Sequence, residues 1–263
     1  MNKADANSAV SGSGNTPDRD DLEHSHDPDE IALRLAQPPG RTYLKDAIYG
    51  GVDGAVTTFA VVSGVAGAGL SPSIVIILGV ANLFGDGFSM AAGNYLGTRA
   101  ENQQFERLRD IERKHIKQCP DGEREEIRQI FRGQGFEGKM LEDAVHAITA
   151  DETRWVDIML HNEYGVSLHR NSPTLAATMT FVSFMFVGAV PLLPFLIQWV
   201  SGGNESQFWV SATMTGIAFF AIGAIKSRFV AQKWWWSGVE TLLVGSLAAL
   251  LAYLCGSLLS GLA

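Results

Sequence analysis

Four side chains that carry lone pairs recur every fourth residue in an otherwise apolar stretch: Asn82, Asp86, Met90 and Asn94. At that spacing they fall along one face of a helix. Carboxylate and amide oxygens ligate divalent cations, and a thioether shifts the preference from Mg or Ca toward softer transition metals. The stripe therefore offers a cation a series of steps. A further acid, Asp53, stands in the preceding apolar stretch, DAIYGGVDGAVTTF. A charge within a bilayer costs roughly 2.5–3.5 kcal/mol to insert, so Asp53 and Asp86 read as functional, as cation ligands and as groups that exchange protons when a cation passes. The plainer alternative keeps the asparagines as cross-helix hydrogen-bonding groups and Met90 as packing, with Gly50, Gly51, Gly54, Gly85, Gly87 and Gly93 allowing the helices to approach closely.

The elements that must position these residues are membrane spans. The chain has 263 residues, 46% hydrophobic and 18% charged, values an ordinary soluble domain shares, but the charges are unevenly placed. Apolar segments at about 47–70, 73–97, 174–200, 208–228 and 237–261 are each long enough for a helix to cross about 30 Å of hydrocarbon. The expected fold is all-α, with five transmembrane helices and a helical insertion between the second and third. Ser71-Pro72-Ser73 makes a short turn, so the first two spans form an antiparallel hairpin, and Pro191 and Pro194 should kink or break the third near its far end. If the first span enters the membrane near Asp46 and the second leaves near Gly97, Asp53 and Met90 share a depth of about 10 Å. Lys and Arg cluster before the first span, through the insertion and between spans four and five, which puts those segments and the N-terminus in the cytosol. Trp234, Trp235 and Trp236 then anchor the fifth span at the interface. Glu240 just beyond them reads equally as functional or as snorkelling to that interface. The net charge of −8 offers phosphates no basic face, which excludes nucleic acid as a partner. Cys119 and Cys255 lie in a polar and an apolar region, so no disulfide is expected between them.

The organisation that follows is a disordered acidic tail (1–41), spans one and two (42–97), a cytosolic helical domain (98–171) and spans three to five (172–263). The tail's His24, His26 and Asp27 read as solvated rather than metal-binding. In the insertion, 98–118 continues the second span, Pro120-Asp121-Gly122 interrupts it, and helical patterns resume over 123–132, 137–149 and 151–164. Glu112 with His115, Glu123 with Glu126, and Met159 with Glu163 each share a helix face.

The DG of the first span, SMAAGNYLG closing the second, the Glu-rich insertion ending in MLHNEYG, and P-x-x-P in the third together resemble the vacuolar iron transporter family over about 42–263. The resemblance implies a homodimer with the ion path near its two-fold axis. It also implies ferrous iron, with manganese as an additional substrate, leaving the cytosol in exchange for protons, and no permanently bound cofactor. It assigns Asp53 and Met90 to the path, and Glu112, His115, Glu123, Glu126, Met159 and Glu163 to a cytosolic metal site, with His115 standing where the family usually has a glutamate. The alternative is a membrane metal sensor or store without transport. An enzyme is not expected: di-iron oxidase chemistry needs Glu-x-x-His pairs on two helices, and beside Glu112–His115 only the aspartate version Asp143–His146 is found. Without an organelle signal the expected location is a bacterial inner membrane, with a vacuolar membrane as the alternative. One expectation is directly measurable. Met90→Ala should lower Fe(II) flux more than Mn(II) flux in vesicles, because sulfur contributes little to a hard, oxygen-preferring ion; equal losses would make Met90 packing.

Overall fold

A computed structural model describes residues 27–36, 43–201, 207–228 and 232–262, and every regular element among them is a helix. Helix α1 (Pro28–Ala36) belongs to an N-terminal unit separate from the body, Arg41–Ala263. It corrects part of the expected disordered tail, and the reason is local. The Asp27 carboxylate accepts from the Asp29 N–H at 3.0 Å, Pro28 opens the helix, Asp29 and Glu30 occupy its first turn and Arg34 its last. These are helix-start and macrodipole signals that a composition average hides. His24 and His26 lie outside the described residues.

In the body, α2 (Leu44–Gly67) and α3 (Pro72–Gln118) form the expected hairpin. Leu70 N–H donates to the Val65 carbonyl and Gly69 N–H to that of Ala66, both at 3.1 Å, with Gly69 at φ +67°. This 6→1 and 5→2 pattern stops α2 at a left-handed glycine, and Pro72 then starts α3 at a position that needs no N–H. The insertion adds α4 (Pro120–Gly133), α5 (Gly138–Thr149) and α6 (Glu152–Asn162). The third span is α7 (Pro173–Gly188) followed, after a 3-10 turn at Val190–Leu192, by α8 (Leu193–Ser201). Helices α9 (Gln207–Lys226) and α10 (Trp234–Leu259) complete five helices long and apolar enough to cross a membrane. The prolines break the third span as expected, and the Ser211 hydroxyl on α9 donates to the Pro191 carbonyl at 2.6 Å, satisfying an acceptor at the break.

Helix α2 is the axis of the bundle: half of its spanning window is buried, against 6% for α10. Lipid tails are as apolar as leucine, so helices in a bilayer associate through close packing rather than through escape from water. Glycine provides the closeness. A Cβ on Gly54 would lie 2.5 Å from the Phe184 carbonyl oxygen of α7, and one on Gly50 would overlap the Thr180 backbone. Gly256 on α10 meets the backbone of Gly64 in the same way. Around these seams Phe59, Val62, Leu83, Phe184, Leu192 and Phe219 fill the core.

Helix α3 continues through the expected exit without a break. Its 47 residues measure about 70 Å, so roughly 40 Å projects beyond a 30 Å hydrocarbon layer. The projecting part contributes Phe105 and Ile116 to a second core with Ile127, Leu141, Val145, Trp155, Met159 and Leu160 from α4, α5 and α6. Arg109–Asp157 (3.1 Å) and Arg128–Glu142 (2.8 Å) join the insertion's helices at its surface. Arg170 pairs with Glu106 and covers the Phe105 ring at 3.9 Å, tying the return strand of chain to α3.

The glycine seam yields a paired prediction. Gly54→Ala should lower the thermal stability of the detergent-solubilised protein by about 1–3 kcal/mol, because its methyl meets backbone that has nowhere to go. Gly64→Ala, whose methyl would find the Ala252 carbonyl at an ordinary 3.5 Å, should be neutral or stabilising through helix propensity. Equal effects would refute the role of close approach at Gly54.

Candidate functional site

Two groups of polar side chains stand out, one in the insertion and one in the spans. In the insertion, Glu112 and His115 share a face of α3, and the chain reversal at Cys119–Pro120 brings Glu123, in the first turn of α4, against them. One ligand atom from each lies within 4.8 Å of the others. His115 Nδ1 is 3.6 Å from Glu123 Oε1 and 3.9 Å from Glu112 Oε1. Both acids are buried while His115 is half exposed, so the cluster has one open side.

Satisfaction is incomplete there. The Tyr164 hydroxyl donates to Glu112 Oε1 at 2.9 Å, but Glu112 Oε2 and Glu123 Oε2 are buried without a hydrogen-bond partner among the described residues. An unpartnered buried carboxylate oxygen is costly, and a cation between two such oxygens and an imidazole relieves that cost. Burial, then the fields of Glu126 and Glu112, push Glu123 up to about 7. Burial, then Glu112 and Glu126, likewise raise Glu163. Glu126 and Glu163 thus sit within electrostatic range at the rim, although both are exposed. Met159 is fully buried in the insertion's core, one turn before Glu163. Asp143 and His146 do not join the cluster.

In the spans, hydrogen bonds fix how α3 lies against α2. Asn94 Nδ2 donates to Asp46 Oδ1 at 2.8 Å and to Thr180 Oγ1 on α7 at 2.7 Å. Three turns farther in, Asn82 Nδ2 reaches Thr57 Oγ1 at 3.4 Å. Pairing 94 with 46 and 82 with 57 sets an antiparallel register in which Asp53 is level with Asp86. The expected common depth of Asp53 and Met90 is therefore corrected. Met90 lies about 6 Å, one turn, nearer the insertion, level with Gly50. The expectation assumed that the helices cross the surface at Asp46 and Gly97, whereas α3 has no end there and its register comes from Asn94.

The stripe thus divides by surroundings. Asn82 and Asn94 bond across helices, as the plainer alternative held. Asp86 is exposed on the surface of the single chain, Asp53 is half-buried, and Met90 is half-buried against the core. Sequence reasoning missed Asp46 as the partner of Asn94, although its seven-residue spacing from Asp53 put both on one face of α2. It also passed over Tyr164, inside the MLHNEYG motif it had singled out. Glu240 lies 3.5 Å from Lys226 Nζ, an ion pair between α10 and α9.

Five spanning helices with a helical insertion between the second and third define a polytopic membrane protein. Residues 44–257, from the first residue of α2 to the last turn of α10, match the VIT family, and the chain belongs to that family. Among its relatives, the vacuolar iron transporter of Plasmodium berghei (strain Anka) is 32% identical over 226 residues, covering 83% of each chain. That of Toxoplasma gondii (strain ATCC 50861 / VEG) is 32% identical over 82% of this chain and 74% of its own. Vacuolar iron transporter 1 of Oryza sativa subsp. japonica is 30% identical over 80% of this chain and 82% of its own.

The raised Glu123 and Glu163 predict opposite pH trends for the two states. A carboxyl whose folded value lies above its unfolded one contributes stability that is complete below about 4.5 and lost as pH rises through about 7. Metal-free protein should therefore melt lower at pH 8 than at pH 5. Metal must displace the proton, so the rise in melting temperature on adding Mn(II) should grow over the same interval. Glu123→Gln should flatten both trends; a variant that keeps them would exclude Glu123 as their source.

Proposed function

We propose that this protein transports divalent metal ions, Fe(II) foremost and Mn(II) in addition, out of the cytosol in exchange for protons, with the insertion on the cytosolic side as a loading domain. The observation that carries this reading is the continuity of α3: the helix that bears Glu112 and His115 also bears Met90 and Asp86. An ion gathered at the cluster has successive donors below it on the same helix. The names of the relatives support iron as cargo. The Asp53–Asp86 level supports proton exchange, since acids within spanning helices are the groups from which proton relays are built.

A homodimer completes the path. A Cβ added to Gly85, Gly93 or Gly97 would meet no atom within 4 Å, unlike one on the crowded glycines of α2, and with Ser89 these three make an exposed small-residue face beside Asp86. Such a face suits a second copy of α3, which would place four carboxylates near the two-fold axis. Met159 and the rim acids Glu126 and Glu163 enter as further ligands during loading. A sensor or store would use the cluster but has no need of acids within the spans, so transport is the better reading. The relatives' names are vacuolar and lend no support to a bacterial inner membrane.

Iron flux into inside-out vesicles with a pH dye in the lumen tests the scheme. Asp53→Ala should insert normally and abolish both metal flux and the coupled proton signal. Glu123→Ala with Glu126→Ala should raise the iron concentration needed for half-maximal flux and spare the maximum. Wild-type flux in the first variant would remove Asp53 from the path, and a lost maximum in the second would make the insertion a gate.

A further inference from the structure

At the end of the bundle farthest from the insertion, α2, α9 and α10 enclose a cavity of about 500 Å³. Its wall runs from Phe208 and Trp209 at the start of α9 to Phe219, a distance of about 16 Å along the helix, so it extends from the membrane surface toward the middle. No charged residue lines it. Trp209 and Leu250 on its rim are exposed, which opens it sideways, toward lipid.

One hydroxyl on its inner wall is unusual. Thr57, Thr180, Thr215 and Thr241 each return their hydroxyl to the carbonyl four residues earlier. Ser63 does not: it is 1% exposed, and its Oγ has no hydrogen-bond partner among the described residues. Thr58 and Ser237 are orphaned as well, but neither lines this cavity. Ser63 stands four residues, about 6 Å, before the end of α2, near the depth where hydrocarbon gives way to the interfacial layer. The staggered wells of χ1 let its hydroxyl turn toward an acceptor in the cavity.

We propose that the cavity holds one acyl chain of a glycerolipid from the leaflet opposite the insertion, whose ester carbonyl accepts the hydrogen bond of Ser63. The volume lies within the range of small-ligand sites, the wall matches a hydrocarbon chain, and the orphaned donor matches an ester at that depth. A chain held there packs between α2 and the least buried span, α10, and braces it.

The test uses the full chain in dodecyl maltoside, incubated with phosphatidylcholine carrying either ester-linked or ether-linked chains of equal length. Retained lipid is counted by native mass spectrometry and stability is followed by melting. Wild type should keep one ester lipid per chain and melt higher with it. Ser63→Ala should retain the ester lipid roughly three- to tenfold less, the effect of one neutral hydrogen bond, and bind the ether lipid as wild type does, which also shows that it folds. Ser246→Phe, on the exposed side of α10 and in the cavity wall, should lose both lipids while its Mn(II)-induced rise in melting temperature persists. Equal ester retention by wild type and Ser63→Ala would overturn the hydrogen bond. Retention by Ser246→Phe would place the lipid elsewhere on the surface, and displacement by detergent at the same stoichiometry would overturn the preference for a glycerolipid.

Discussion

The carboxamide of Asn94 gives its protons to two other helices, to Asp46 on α2 at 2.8 Å and to Thr180 on α7 at 2.7 Å. Sliding α3 by one turn would break both bonds at once. With the Asn82–Thr57 bond, Asn94 sets the register of α2 on α3, and the register sets which residues are level: Asp46 with Asn94, Gly50 with Met90, Asp53 with Asp86. The glycines of α2 serve the same constraint from the other side. They let α7 come close enough for Thr180 to reach the same amide, since a side chain at Gly50 or Gly54 would force α7 outward.

The insertion is governed by an opposite condition, electrostatic interactions left incomplete. Its apolar core is closed around Ile127, Val156, Met159 and Leu160, whereas the adjoining acids keep buried oxygens unbonded. Surface ion pairs such as Arg128–Glu142 contribute little to holding the domain, about 0–1 kcal/mol each. The core therefore carries the fold, and the cluster is not needed to hold it. A half-exposed imidazole beside two buried carboxylates leaves the cluster one open side.

Much of this was legible in the sequence. The five spans follow from runs of apolar residues, and the helix breaks at Cys119–Pro120 and at Pro191 follow from proline's missing donor. The acid pairs of the insertion were readable as helix faces, though only the fold shows that Glu112, His115 and Glu123 converge while Met159 joins the core. The register was not readable. It depends on the cross-helix amides of Asn94 and Asn82, and estimating depth from where charges resume fails when a helix runs on past the membrane. Helix α1 was missed because a tail was judged by composition, while the short DPDE start signal lay within it.

The unbroken run of α3 also has a mechanical meaning. Sharp kinks in helices arise most often at prolines, and α3 runs as one α-helix from Pro72 to Gln118 with no proline after its first residue. A rod fixed to its neighbours at Asn94 and extending about 40 Å past the bilayer is a lever arm. A tilt of about 5° within the membrane would swing its far tip by roughly 3–4 Å, more than the width of a ligand shell. Small adjustments among tightly packed spans are thereby amplified at Glu112 and His115, and a displacement at the tip is returned, geared down, to the register at the other end.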